Sequence, residues 1–341
     1  MSRKRLIAIG VLAVAATAAV AMLAAGVGSA RPTKQSAGYK VYLIPKLIGV
    51  PVFTQNGKGA KAAGKKLGDT VTYNGPTSAD ASQQVTFINT AVSQGANAII
   101  ISADDPNAVA PALKRAASRG VKVISYDADT AADARTIYVS PPSAKDIGAF
   151  QVEWIGSQIN YKGQIAILSA APTAANQNTW IKFMKATLKQ KKYRGMKLVK
   201  IAYGNDDDTK SAQQTQALLQ AYPKLKGIIS PTTVGVSAAA RVLTSGHKCG
   251  KVALTGLGLP NQMRKYIKSG CAKKVGLWDE FKFGYLAEYA AHNVLTGKLT
   301  GKAGQSFTAG ILGKRTVGAH QTVILSKPLV FTKANVDKYN F

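Results

Sequence analysis

From Tyr39 onward, short apolar runs alternate with longer amphipathic ones, and this alternation restricts the fold more than any other feature of the chain. YKVYLIP, TVTYNG, NAIIIS, VKVISYD and TIYVS read as strands, with helices over 54–67, 81–94 and 107–119 between them. After Ser143 a second series runs: a helix over 144–159, QIAILSA, a helix over 178–191, KLVKIAYG, a helix over 209–221, GIISP, a helix over 234–244, KVALTGLG, a helix over 261–268, KKVGLWD and a helix over 283–295. Repeated strand–helix units predict parallel sheets with helices on both faces. Two series of similar length predict an α/β chain of two similar Rossmann-like lobes with a cleft between them. Gly95, Gly120, Gly195, Gly246 and Gly270 stand at the expected helix ends, where glycine suits a left-handed cap.

The polar residues at the strand ends carry the functional signal. In VKVISYDAD an apolar run closes on Asp127 and Asp129, and open α/β sheets bind ligands at the carboxyl ends of their strands. An ionised carboxylate only accepts hydrogen bonds, so Asp127 can hold two neighbouring hydroxyls of one sugar; the competing role for either aspartate is to cap the following turn. Lys46, Asn176, Gln177, Pro231, Thr233 and the pair Trp278 and Asp279 also fall at or just past predicted strand ends. Facing each other across a cleft, they supply the mixed donors and acceptors that a polyhydroxylated ligand needs. Phe53 and Trp278 offer ring faces to the apolar side of a sugar, or pack in the core.

At 341 residues the chain exceeds one core, and a composition 46% hydrophobic and 18% charged excludes a disordered chain. The net charge of +29 raises the question of nucleic acid, but lysines such as Lys61, Lys65, Lys66, Lys185, Lys189, Lys191 and Lys192 are scattered without a recognition motif. They read as a solvated basic surface. Arg3, Lys4 and Arg5 precede an uncharged apolar stretch over 6–27, and Gly28, Ser29 and Ala30 follow, so residues 1–30 read as a secretory signal cleaved after Ala30. That stretch is also long enough to span a bilayer as an uncleaved anchor. Without a cysteine near the cleavage point there is no lipid anchor, and residues 31–38 read as a disordered leader.

Other motifs fail on context. Gly57, Gly59 and Ala62 match a dinucleotide-type spacing but lie well past the strand, and the next strand ends in Asn74 and Gly75 rather than an acid. Asp206, Asp207 and Asp208 lack the glycine turn and distal glutamate of a calcium loop, and read as caps of the following helix. No nucleophile motif or placed histidine supports an enzyme, and no cofactor is implied. Cys249 and Cys271 each precede an apolar run, so an oxidising compartment would join them, closing a loop of roughly twenty residues worth about 3 kcal/mol. Two cysteines without a histidine pair are not a metal site; His247, His292 and His320 are dispersed.

The segments IPKLIGVPVF, TVTYNGPT, ADDPNAVAPALKRA, SYDAD, PTAANQNTW, IISPTTVG, TGLGLPNQMRKYI, GLWD and FTKANVDKYNF together resemble the type I periplasmic sugar-binding proteins of ABC transporters. Within them the chain is similar to the rhamnose-binding and autoinducer-2-binding branch. The resemblance implies that Lys46, Asp127, Asn176, Gln177, Pro231 and Thr233 contact the ligand. Asn176 stands where autoinducer receptors carry an acid and Thr233 where they carry alanine, which leans toward rhamnose. It also implies a three-segment hinge, with a first lobe of 39–142 plus 280–302, a second of 143–279 plus 303–341, and a third crossing near Lys302. The implied protein is an extracytoplasmic monomer that passes a sugar to a membrane permease and binds no nucleic acid. A sensory ectodomain retaining its anchor is the rival, whereas a repressor would need a helix-turn-helix where the export signal stands.

Overall fold

The computed structural model describes residues 38–341. The expected signal over 1–30 and the leader over 31–38, save its last residue, lie outside the described residues. The first lobe begins with β1 (Lys40–Ile44), α1 (Pro51–Leu67), β2 (Thr70–Tyr73), α2 (Ala81–Ser93), β3 (Ala98–Ile101), α3 (Pro106–Ser118), β4 (Lys122–Tyr126) and β5 (Ile137–Ser140). The chain then builds a second unit of α4 (Ala144–Gln158), β6 (Lys162–Ser169), α5 (Ala175–Leu188), β7 (Gly195–Tyr203), α6 (Asp208–Ala221), β8 (Leu225–Ser230), α7 (Thr233–Ser245), β9 (Ala253–Gly256), α8 (Pro260–Lys268) and β10 (Val275–Leu277). It returns through α9 (Glu280–Leu295), the hairpin β11 (Ser306–Thr308) and β12 (Lys314–Thr316), and β13 (Thr322–Ile324), and ends on β14 (Leu329–Phe331).

Central strands such as β3 are apolar at every position because helices cover both faces, and Ile99, Ile100 and Ile101 are fully buried. The first sheet runs β2-β1-β3-β4-β5-β13, all parallel. The second runs β7-β6-β8-β9, parallel. A bridge from Leu257 to Gly276 attaches β10 beside β9, and β10 pairs antiparallel with β14. The two lobes therefore repeat one strand order, with their carboxyl ends at the interlobe cleft. Helices start on side-chain caps: Asp80 accepts from the N–H groups of Ser82 and Gln83, and Asp105 from those of Asn107 and Ala108.

Two expectations need correction. The chain crosses between lobes after β5 and after β10, and β13 pairs with β5, so residues 303–324, expected in the second lobe, remain with the first. The third crossing falls between Ile324 and Leu329; the short strands β11 to β13 carry too weak a pattern to place it from sequence. Gly95, Gly120 and Gly270 adopt left-handed φ values of 77°, 88° and 82°. Gly195 instead opens β7 opposite Lys162, and Gly246 has φ −86° while His247 takes the left-handed turn at 51°.

Cys249 and Cys271, just ahead of β9 and β10, form a disulfide with Sγ atoms 1.98 Å apart. The glycines of the rejected dinucleotide spacing have a packing role. A Cβ on Gly59 would sit 1.8 Å from the Phe281 carbonyl oxygen, and one on Gly284 would sit 1.9 Å from that of Asn56, so α1 and α9 meet backbone to backbone. This contact sets Asn56 against the first turn of α9, where its Nδ2 donates to the carbonyl oxygen and to Oε2 of Glu280. Gly59→Ala should force the helices apart and destabilise the fold by about 1–3 kcal/mol in urea unfolding; an unchanged midpoint would show that the contact is not rigid.

Candidate ligand-binding site

The carboxyl ends of the strands enclose a compartment at the lobe junction with about 460 Å³ free of protein atoms, its open mouth included. Lys46, Phe53, Asp127, Asn176, Gln177, Pro231, Thr233 and Trp278 all line it. Asp279 does not. Its carboxylate accepts the Lys282 N–H at 3.0 Å and pairs with the Lys282 Nζ at 3.0 Å, making it the cap of α9. The next residue, Glu280, faces the compartment instead.

A chain of polar contacts joins the lobes. Lys46 Nζ from the first lobe donates to Asn176 Oδ1 of the second at 3.3 Å, and Asn176 Nδ2 donates back to Asp127 Oδ1 of the first at 3.1 Å. The Gln177 N–H also donates to Asn176 Oδ1, at 2.8 Å, fixing the amide so that its nitrogen meets Asp127. Ser102 Oγ holds the other Asp127 oxygen at 2.8 Å. Asp127 has φ 56°, a region aspartate tolerates, and this turns its side chain from the end of β4 into the cleft. Gln177 accepts from Ser169 Oγ and from the Ala170 N–H at 2.7 and 2.8 Å, leaving its amide nitrogen without a partner among the described residues. Asp129 takes no part: Arg135 grips both of its oxygens at 2.7 and 2.8 Å.

Asp206, Thr232, Trp180 and Glu280 also line the compartment and were not expected there. Asp206 looked like one of three capping acids, but only Asp207 caps α6, and Asp208 pairs with Arg241. At φ 52° Asp206 turns back into the cleft and accepts from the Thr232 hydroxyl. The strand-end rule that selected Asp127 also covers Asp206, three residues past Tyr203 at the end of β7. Trp278 and Trp180 meet edge to face, with centroids 6.1 Å apart, on the apolar wall. The Trp278 indole N–H lies beside the Glu280 carboxyl but makes no well-aligned hydrogen bond.

Burial dominates the electrostatics. Desolvation pushes Glu280 well above the usual carboxylate range, with the Asn56 hydrogen bond opposing and Asp127 adding to the rise. Asp206 keeps part of its surface open to the cleft, yet protein surrounds it closely enough for desolvation to raise its pKa against the pull of Lys46. Asp104, at the outer edge, is pushed up to about 7 by burial, with Lys46 opposing and Asp206 adding.

The sequence profile of the periplasmic binding protein domain matches residues 41–299. The chain belongs to the periplasmic binding protein family. A solved sugar ABC transporter protein from Actinomyces odontolyticus is 44% identical, over 89% of this chain and 98% of its own, with a TM-score of 0.72. An ABC transporter solute binding protein from Clostridium phytofermentas with bound L-rhamnose is 36% identical, over 88% of this chain and 98% of its own, with a TM-score of 0.86. LsrB from Clostridium saccharobutylicum, in complex with AI-2, is 27% identical, over 89% of this chain and all (100%) of its own, with a TM-score of 0.84. This periplasmic binding protein has the two-lobed type I fold and is a sugar-binding receptor of an ABC transporter, not an enzyme. The family implies an extracytoplasmic location, and among the described residues no helix is long and apolar enough to cross a membrane.

A carboxyl with a raised native pKa holds its proton more firmly in the folded state. Its stabilising effect is full below the ordinary aspartate range and fades as the pH rises through about 7 for Asp104. Asp104→Asn should therefore reduce the fall in melting temperature between about pH 5 and about pH 8. The assignment is wrong if the variant keeps the wild-type slope.

Proposed function

We propose that this receptor captures L-rhamnose or a close deoxyhexose between its lobes and delivers it, as an exported monomer, to a membrane permease. The observation that carries this reading is the run from Lys46 through Asn176 to Asp127, which crosses the cleft twice. The sugar engages these groups as donors and acceptors, with the amide of Gln177 as a further donor, and Pro231 and Thr233 shape the wall of the second lobe. Phe53, Trp180 and Trp278 supply an apolar face for the ring and its methyl group. The solute binding protein with bound L-rhamnose, 36% identical, supports the choice.

Asn176 separates this reading from the autoinducer alternative. An aspartate there would bring a second carboxylate oxygen to the 3.1 Å contact with Asp127, and two like charges so close cannot both stay ionised. The amide leaves Asp127 free to accept from sugar hydroxyls. The second reading, an autoinducer-2 receptor, is favoured by Lys46, Asp127, Gln177 and Pro231, which match the positions expected of that branch.

Calorimetry with L-rhamnose and with autoinducer-2 tests the assignment. Asp127→Ala should weaken rhamnose binding by about 1.5–3 kcal/mol, more than about tenfold, the value of a hydrogen bond to a charged group. Asn176→Asp should weaken rhamnose and leave autoinducer-2 unaffected or improved. Tight wild-type binding of autoinducer-2 with no response to rhamnose or any close aldose would refute the choice of sugar.

A further inference from the structure

The cleft continues past Lys46. A second compartment, with about 910 Å³ free of protein atoms including its mouth, opens farther from the lobe crossings, and Lys46 and Asp206 line both spaces. The first lobe contributes the turns leading into α2 and α3, with Ser78, Asp80 and Asp104, and the second lobe contributes Asn205 and the turn between β6 and α5. Both walls are set with alanines, Ala108 on one side and Ala171 on the other, whose short side chains leave the space open. Asp104 is only 8% exposed, and its Oδ2 makes no well-aligned hydrogen bond, with the Asp80 N–H nearby, although the residue lines this space. A buried polar atom without a partner is unfavourable, and a ligand hydroxyl relieves it.

The chemistry of the walls narrows the occupant. Lys46 is the only cationic side chain lining either compartment among the described residues, against Asp80, Asp104, Asp105 and Asp206 in the outer one. No group of three or more histidines, cysteines or acids among the described residues is placed to hold a metal ion. Carboxylates without a metal to bind suit hydroxyl donors. Resting on the sugar reading above, we propose that the cleft is a two-compartment site whose outer compartment takes the second hydroxylated unit of a glycoside, its first ring seated beside Asp127.

Calorimetry on the full chain with a matched pair of ligands decides this. The pair is the monosaccharide that gives the largest thermal shift and a disaccharide carrying that sugar at its non-reducing end; for rhamnose these are L-rhamnose and a rhamnosyl-glucose. Wild type should bind the disaccharide no more than about tenfold more weakly than the monosaccharide. Ala108→Trp and Ala171→Trp, one from each wall, should each weaken the disaccharide by more than about tenfold and leave the monosaccharide within about twofold. Rejection of the disaccharide by wild type beyond about tenfold overturns the proposal, as does equal weakening of both ligands by both variants. Failure of rhamnose itself overturns only the choice of sugar, and changes the pair without changing the criterion.

Discussion

The contact between Asn176 and its two first-lobe partners is the interaction on which the rest of the structure depends. Each lobe can bury its own sheet without the other, but the cleft becomes a compartment only when groups from both sides meet. One amide makes that junction, accepting from Lys46 and donating to Asp127. Both partners sit at strand ends, so the rigid sheets set the geometry and the loops add little freedom. A ligand that replaces these contacts with its own hydroxyls exchanges hydrogen bonds at nearly constant number. The gain then comes from the quality of the fit and from the apolar face that Trp180 and Trp278 present.

The local charge in the cleft is opposite to that of the molecule. A chain of net charge +29 places one lysine among several carboxyl groups in its cleft. Burial eases part of the conflict by raising the pKa of Glu280 well above the usual carboxylate range, which favours its neutral form. Asn56 fixes the orientation of Glu280 from the neighbouring helix, and that contact exists because Gly59 and Gly284 let the two helices touch. A packing requirement far from any ligand atom thus governs a polar group at the site.

The alternation of strands and helices was legible because helices cover both faces of the central strands, which writes a strand such as β3 as an uninterrupted apolar run. The strand-end rule found seven of the residues that line the inner compartment, since position along a strand fixes which way its end points, and Phe53 was singled out by its ring alone. It failed where one residue decided between two directions. Asp279 and Glu280 are adjacent acids, and only the capping bond to the Lys282 N–H determines which of them turns inward. Asp206 was hidden for a related reason: its left-handed φ reverses the side chain, and no pattern in the run Asp206, Asp207 and Asp208 announces it. The third crossing was misplaced because β11 to β14 are three residues each, too short for any periodicity to register.

That late crossing bears on the order in which the molecule can be assembled. β13 completes the sheet of the first lobe and β14 that of the second, and both come from within a dozen residues of each other, after more than three hundred have been made. The first lobe cannot close its edge before residue 324 is made, nor the second before residue 331. A chain delivered from its amino end would carry two halves each missing one strand until this segment arrives, and the same short segment then completes both sheets.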